Sequence, residues 1–179
     1  VMGDISELLA PMQCGIGIPN AVESILIGFN DLFNGHVQQA RIPDPGAPVY
    51  ALLLDFVNAF NSVNRSVMFG EVQKYCPHIL AWVQYTYGHA AYLFVGDSYF
   101  TCTTGVQQGD PLGPLLFALV LQVLLRSINE KLGNMSVGGQ QYVIAAYLDD
   151  TTLACSLQQA AGAVNVALQE GPSLGLYLS

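Results

Sequence analysis

Three aspartates are the residues of this sequence with the clearest chemical potential. Asp55 lies at the end of the almost continuous apolar run 49–56, and Asp149 and Asp150 stand side by side between two β-rich runs. A carboxylate at the end of an apolar strand must stay solvated, be paired or coordinate a cation. An acidic pair at a hairpin tip, taken alone, is more typical of a solvated turn.

A shared position of the three acids would change that interpretation. If the Asp55 strand lies beside the hairpin of Asp149 and Asp150, three like charges crowd at one edge of a sheet, and their repulsion favours the binding of cations. Magnesium suits such a site, because it prefers oxygen ligands and completes its octahedron with water and substrate phosphates. Two such ions clamp the attacking and leaving oxygens, so phosphoryl transfer is the predicted reaction class.

The elements that must position these acids are one strand and one hairpin. The run 49–56 predicts a strand buried on both faces, and runs 142–148 and 151–155 predict a hairpin with the acids at its tip. Strands and helices alternate without a strict βαβ repeat, which predicts an α+β fold with helices packed on one face of a small antiparallel sheet. The other predicted elements are strands 92–95 and 99–103, helices 20–35, 62–75, 77–87, 111–132 and 156–171, and an exposed Pro-rich connection at 41–48.

Composition limits the classes of partner. The 179 residues are 52% hydrophobic, enough for one core, and carry a net charge of −8 from 13 acids and 5 bases. Scattered bases argue against nucleic-acid binding by this chain alone, because phosphate contacts require Lys and Arg in number. Four cysteines without a CxxC pair predict reduced, buried thiols in an intracellular protein, nuclear or cytoplasmic. The most apolar stretch, 112–125, is too short to span a bilayer, so no membrane partner is predicted.

Three segments with polar, chemically capable residues follow one another along the chain. They are LDFVNAF at 54–60, GVQQGDPLGPLLF at 105–117 and AYLDD at 146–150. In this order they resemble motifs A, B and C of reverse transcriptases, the RNA-directed DNA polymerases, and in particular those of eukaryotic non-LTR retrotransposons. The resemblance extends over most of the chain from about Gln13. It implies a polymerase palm with part of the fingers region.

The resemblance also implies a metal site. Asp55 and Asp149 would bind two Mg²⁺ ions, for which Mn²⁺ is a substitute, Asp150 would assist them, and the backbone carbonyl of Phe56 would be a further ligand. A primer 3′-hydroxyl would then attack the α-phosphate of the incoming nucleotide, with one ion easing the ionisation of the hydroxyl and the other steadying the triphosphate.

Four further residues match substrate-binding positions of the family. Phe60 would crowd a ribose 2′-hydroxyl and so select deoxynucleotides, although an aromatic residue after a strand is often part of the core. Gln108 and Gly109 would position the nucleotide and template, since glycine permits close backbone approach; a plain turn is the alternative for Gly109. Tyr147 would lie near the primer end, although an ordinary alternating strand residue also explains it.

The resemblance divides the chain into two parts. Residues 1–48 form a helical segment adjoining the fingers and a Pro-rich connection, and residues 49–179 form a palm that ends before the motif D lysine and the thumb. The expected partners in the full-length protein are an RNA template with a DNA primer, dNTPs, and the missing fingers and thumb of the same polyprotein. As a fragment the chain is expected to be inactive and, with apolar faces uncovered, to associate.

Other functions compete with polymerisation. A catalytically inactive palm-fold remnant, or an interaction domain of a retroelement polyprotein, is the alternative function, and the intact acids argue against it. A metal-dependent nuclease also needs clustered carboxylates but gives no reason for Phe60 or for the segment 105–114. An aspartic protease needs paired DTG or DSG loops, which Gly96-Asp97-Ser98 does not supply.

Overall fold

The computed structural model describes residues 2–34, 49–136 and 142–179. Helices alternate with antiparallel strands, which confirms the predicted α+β class. The predicted connection at 41–48 lies outside the described residues. In chain order the elements are α1 (Met2–Leu9), α2 (Ala21–Asn34), β1 (Tyr50–Leu54), α3 (Ala59–Ser62), α4 (Arg65–Tyr75), a 3₁₀ turn (Pro77–Ile79), α5 (Leu80–Tyr87), β2 (Ala91–Val95), β3 (Ser98–Cys102), α6 (Gly113–Met135), β4 (Val143–Tyr147), β5 (Asp150–Cys155) and α7 (Leu157–Leu174).

The main sheet determines where the acidic residues lie. Its three strands have the order β1-β5-β4, and both strand pairs are antiparallel. Leu54 lies opposite Thr151, and Tyr147 lies opposite Asp150. The last residue of β1 therefore lies next to the first residues of β5, at the end of the sheet where the β4–β5 hairpin turns.

Strand β1 differs from its prediction. Leu54 is buried, but Leu53 is 72% exposed, so the strand is not buried on both faces and that prediction is wrong. The physical reason is the antiparallel sheet, which packs one face on helices and leaves the other in solvent. A short continuous apolar run does not reveal this difference, because it lacks the alternation of polar and apolar residues that marks a one-sided strand.

Helix α6 forms the centre of the core. Residues 116–121 are buried around the whole circumference of the helix, as expected for a helical segment that is apolar on all sides. Helix α7 packs along α6 through small residues such as Ala163 and Gly162. A Cβ atom on Gly162 would lie 2.7 Å from Sδ of Met135, so a larger residue there would require the Met135 side chain to move. Among the described helices, none is both long and apolar enough to cross a membrane.

Two predicted helix ends are wrong by three residues. Helix α6 continues through Gly133 and Asn134, and α7 continues through Gly171 and Pro172 to Leu174. The true end of α7 is set by Gly175, which has a left-handed φ of 80° and donates its N–H to the carbonyl of Pro172. The predicted start of α7 is confirmed, because the Ser156 hydroxyl oxygen accepts a hydrogen bond from the N–H of Gln159.

The small β2–β3 sheet exposes apolar side chains. Its two strands pair antiparallel, as predicted, with a turn at Gly96 and Asp97. Tyr92, Phe94 and Phe100 are each exposed by more than half. Such a surface supports the prediction that the chain associates, which stays a prediction.

All four cysteines are free thiols. Cys76 and Cys155 are buried, and Cys14 and Cys102 are half-buried. Burial raises the pKa of the Cys76 and Cys155 thiols, because the thiolate is poorly solvated there. The prediction of buried thiols is therefore confirmed for this pair.

Candidate functional site

The three predicted acids lie at one end of the main sheet, called here the acidic edge. Asp55 follows Leu54 directly, and Leu54 is the register partner of Thr151, the residue after Asp150. Asp149 belongs to the turn between β4 and β5. Asp55 and Asp150 are exposed and Asp149 is half-buried, so the carboxylates are accessible to solvent and to ligands. The strand register thus puts the three acids at the same end of the sheet, and their convergence on shared ions stays a prediction.

The acidic edge is not a complete metal cage. Among the residues that the structure describes, no group of three or more His, Cys, Asp or Glu could by itself hold a metal ion. Magnesium, however, is usually held by one or two carboxylates together with water and substrate phosphates. Carboxylates from β1 and from the β4–β5 turn are the hard oxygen donors that such a shared site needs. The residues fit a magnesium site that substrate completes.

The backbone around Asp55 is fixed by the end of the chain. The carbonyl of Asp55 accepts a hydrogen bond from the N–H of Ser179 at 3.0 Å, and the N–H of Val57 donates to the carbonyl of Tyr177 at 2.8 Å. Phe56, between them, faces Leu178 in an isolated antiparallel bridge. In a pair of this kind the carbonyl of the central residue points away from the partner segment. The Phe56 carbonyl is thus directed away from the C-terminal segment, while its side chain is buried.

The turn that carries Asp149 has an unusual backbone. Leu148 has a φ of 56°, a left-handed value that is uncommon for residues other than glycine. Both polar backbone groups of Leu148 are hydrogen-bonded to the side chain of Gln13, which is fully buried. Tyr147, the last residue of β4, is 41% exposed beside this turn. The sequence did not point to Gln13 as a residue of the site.

Phe60 packs against the core and also faces a pocket. Its ring stacks on the buried ring of Phe117, with centroids 4.3 Å apart and planes 14° from parallel. The carbonyl of Phe60 accepts a hydrogen bond from the N–H of Val106 at 2.7 Å, which ties helix α3 to the segment before α6. Phe60 remains half-buried. Its position is therefore set by the core, and part of the ring is left to contact a ligand.

A pocket of about 390 Å³ joins three of the four predicted substrate-binding residues. Phe60, Gln108 and Gly109 line it, and Tyr147 lies instead at the hairpin. Gly109 has a φ of 93°, and a Cβ atom there would meet no atom within 4 Å. The backbone is thus open to close approach by a ligand. The remaining lining residues are Gln107, Asp110, Gly113 and Pro114.

A tyrosine from α5 supports the loop at this pocket. The hydroxyl of Tyr87 donates a hydrogen bond to the carboxylate of Asp110 and accepts one from the N–H of Gln107 at 3.2 Å. The other Asp110 oxygen accepts from the N–H of Leu112 at 2.9 Å. Burial, together with the hydrogen bond to Asp110, raises the pKa of Tyr87 to about 12, so the hydroxyl keeps its proton as a donor. Tyr87 and Asp110 were not predicted as site residues.

Three of the four basic side chains of the described residues contact other groups of the protein. Arg65 is buried and donates hydrogen bonds to backbone carbonyls, including those of Gly105 at 2.9 Å and His89 at 3.2 Å. Arg126 and Lys74 both lie over the ring of Tyr75, within 5.2 Å and 4.7 Å of its centroid. Arg65 is therefore a structural cation, whereas Arg126 is half-buried and Lys74 lies at the surface.

The chain resembles known proteins in sequence. A family model described as "Reverse transcriptase (RNA-dependent DNA polymerase)" matches residues 7–179. The retrovirus-related Pol polyprotein from type-2 retrotransposable element R2DM of Drosophila melanogaster is 34% identical over 110 residues, which cover 58% of this chain and 10% of that protein. The corresponding polyprotein from type-1 retrotransposable element R2 of Nasonia vitripennis is 28% identical over 149 residues, covering 78% of this chain and 14% of that protein.

Solved structures share the fold. Telomerase from Candida albicans, in complex with a TWJ fragment of telomeric RNA, superposes with a TM-score of 0.73 at 10% identity, covering 99% of this chain and 33% of that one. Apo telomerase from Candida tropicalis, truncated from its C-terminal domain, gives 0.67 at 10% identity, covering 98% and 37%. At such identities the likeness establishes the fold, and it confirms the predicted palm-and-fingers architecture.

Proposed function

Since the chain belongs to the reverse transcriptase (RNA-dependent DNA polymerase) family, and to its non-LTR retrotransposon type, we propose that it carries the polymerising palm of such an enzyme. Residues 49–179 form this palm, and residues 1–48 adjoin the fingers. The chain spans about a tenth to a seventh of the length of the curated relatives it matches. In this proposal, other parts of the full-length protein bind the template and make the contacts of the thumb.

The proposed reaction adds a deoxynucleotide to a primer. The primer 3′-hydroxyl attacks the α-phosphate of a dNTP, a new phosphodiester bond forms, and pyrophosphate leaves. Asp55 and Asp149 are the proposed ligands of two Mg²⁺ ions, with Asp150 and the Phe56 carbonyl beside them. When bound, the ions stabilise charge on the attacking and leaving oxygens. The acidic edge keeps these ligands solvent-accessible, so that triphosphate and water can complete the coordination.

The pocket beside α6 is the proposed nucleotide site. Phe60, stacked on Phe117, presents a fixed apolar edge that excludes a 2′-hydroxyl and so selects deoxynucleotides. Gln108 is exposed at the pocket and offers an amide to the nucleotide or template, and Gly109 leaves its backbone open. Tyr147, exposed at the end of β4, is the proposed contact to the primer end.

One observation carries the proposal: the register of β1 on β5 puts Asp55 at the same end of the sheet as Asp149 and Asp150. Without that register, the acids of the two motifs would not lie together in the fold. Arg65 and Arg126 are engaged by contacts within the fold, which favours dependence on other parts of the protein for nucleic-acid binding.

Primer extension by the full-length protein tests this function. With an RNA template, a DNA primer, dNTPs and Mg²⁺, Asp149→Asn is expected to lower extension at least about a thousand-fold, since a metal ligand supplies several kcal/mol to the transition state. The matched control is Asp97→Asn, which changes an exposed acid at the tip of the other hairpin and should leave extension intact.

Two outcomes contradict the proposal. Extension by Asp149→Asn at the wild-type rate would remove the metal role of this acid. A folded wild-type protein that extends no primer under any divalent metal would favour the alternative, a palm fold kept as an interaction domain.

A further inference from the structure

The side chain of Gln13 forms hydrogen bonds with both polar backbone groups of Leu148 in the β4–β5 turn. Its Nε2 donates to the carbonyl of Leu148 at 3.0 Å, and its Oε1 accepts from the N–H of Leu148 at 2.9 Å. Oε1 also accepts from the N–H of Gly15 at 3.0 Å. Both lone pairs of the amide oxygen are thus used, and the residue is 0% exposed. Two residues 135 positions apart are joined by a paired hydrogen bond.

The contacted residue is the one whose conformation most needs support. Leu148 has a φ of 56°, a region that costs an L-residue about 1–2 kcal/mol relative to right-handed backbone. Gln13 binds both polar groups of this residue, so it stabilises the left-handed geometry specifically. Asp149 follows directly, and the φ and ψ of Leu148 determine where its carboxylate begins.

Gln13 is itself held firmly against β4. The N–H of Cys14 donates to the carbonyl of Ala146 at 2.7 Å, and the N–H of Ala146 donates to the carbonyl of Met12 at 2.6 Å. Gly15 approaches the turn so closely that a Cβ atom there would lie 2.8 Å from the nitrogen of Leu148. The segment 12–15 therefore forms a rigid support on which the amide is fixed.

We propose that Gln13 is a positioning residue for polymerisation: its amide holds Leu148 in the left-handed conformation and thereby sets the place of Asp149. The inference rests on the proposed metal-binding role of Asp149. It assigns a role in catalysis to the segment 12–15, which does not line the proposed nucleotide pocket.

The test compares two buried glutamines in the full-length protein. Gln13→Leu removes the three hydrogen bonds to Leu148 and Gly15. The control, Gln159→Leu, removes the bonds of an equally buried amide to Ser136 and Ser156, at the start of α7. Both variants lose stability, but Gln13→Leu is expected to lower kcat for primer extension about 100-fold, as small misplacements of catalytic groups do. KM for dNTP should change little, because the nucleotide pocket is intact.

Hydrogen exchange supplies a readout that does not need activity. In metal-free protein the amide of Leu148 should exchange faster in Gln13→Leu and at the wild-type rate in Gln159→Leu, since only the first variant loses the acceptor Oε1. Exchange is measured on the peptide spanning Ala146 to Asp150.

A conservative variant separates positioning from folding. In Gln13→Glu, a protonated carboxyl group repeats the donor and acceptor pattern of the amide, whereas an ionised one faces the Leu148 carbonyl with an oxygen. Burial raises the pKa of such a glutamate. The ratio of kcat in Gln13→Glu to kcat in wild type should therefore fall as pH rises, while the ratio for Gln13→Leu stays flat.

The possible results decide between the roles. Unchanged protection of Leu148 in Gln13→Leu overturns the proposal whatever the activity. Equal losses of kcat in Gln13→Leu and Gln159→Leu also overturn it, because the role of Gln13 is then only structural. An inactive wild-type protein contradicts the proposed function instead. The exchange rates then still show whether Gln13 stabilises the conformation of Leu148.

Discussion

Two turns near the proposed site stabilise a left-handed backbone conformation in different ways. The β4–β5 turn and the loop before α6 each contain a left-handed residue, Leu148 at a φ of 56° and Gly109 at a φ of 93°. In the hairpin a leucine is held in this conformation by the distant side chain of Gln13. In the loop a glycine adopts it without steric cost, and the hydroxyl of Tyr87 secures its neighbour Asp110.

The two turns differ in what determines the left-handed conformation. That of Leu148 is imposed by tertiary structure, so it should be lost when Gln13 changes, although the turn sequence is intact. That of Gly109 belongs to the residue type, so it should be lost when Gly109 itself changes. In the proposed function, Asp149 is a metal ligand whose position is fixed by Gln13, and the backbone of Gly109 is left open to a nucleotide.

The largest effect on stability is expected at Gly105. Gly105 has a φ of 70°, and a Cβ atom there would lie 2.2 Å from the backbone of Asn61. Gly105→Ala should therefore lower the free energy of unfolding by at least about 3 kcal/mol, because backbone atoms have to move. Chemical denaturation measures this loss, and a variant as stable as wild type would contradict the close approach.

Gly109→Ala should have a smaller effect on stability than Gly105→Ala, but it should impair activity. Its added Cβ meets open space, so only left-handed strain remains, about 1–2 kcal/mol. Primer extension should nevertheless fall about 10- to 100-fold, because the methyl group displaces the nucleotide within the pocket. Denaturation and steady-state kinetics on the same preparation measure both quantities. Full activity in a folded Gly109→Ala protein would show that the nucleotide does not approach this backbone.

The smallest effect is expected at Leu148. Leu148→Gly relieves the left-handed strain but loses a half-buried side chain, so the free energy of unfolding should change by less than about 1 kcal/mol. In that background, Gln13→Leu should reduce primer extension less than it does in the wild type, since glycine needs no support in this conformation. An equal reduction in both backgrounds would mean that Gln13 acts through some other contact.

The secondary-structure elements and the acidic residues could be predicted from the sequence. The residues that hold the turns, Gln13 and Tyr87, could not. The apolar run before Asp55 and the β-rich runs around Asp149 are local patterns, and the register that joins them follows once both strands enter one sheet. The exposure of Leu53 was not predictable, because an apolar run does not say which face the helices cover. The end of α7 was missed because Gly171-Pro172 is typical of a helix end, whereas Gly175 provides the actual cap.

The supporting residues escaped prediction for a different reason. Gln13 and Tyr87 each act through a single side chain, over separations of 135 and 23 residues. One polar residue between Met12 and Cys14 has no periodicity and belongs to no motif of catalytic chemistry. Only the fold brings such side chains to the turns that they hold.

Anomalous scattering from Mn²⁺ tests the shared metal site most directly. The full-length protein is crystallised with an RNA template, a DNA primer and a non-hydrolysable dNTP analogue, and Mn²⁺ replaces Mg²⁺. Two anomalous peaks bridging the carboxylates of Asp55 and Asp149 and the triphosphate are the predicted result. A bound nucleotide without a metal peak between these two side chains would contradict the proposed mechanism.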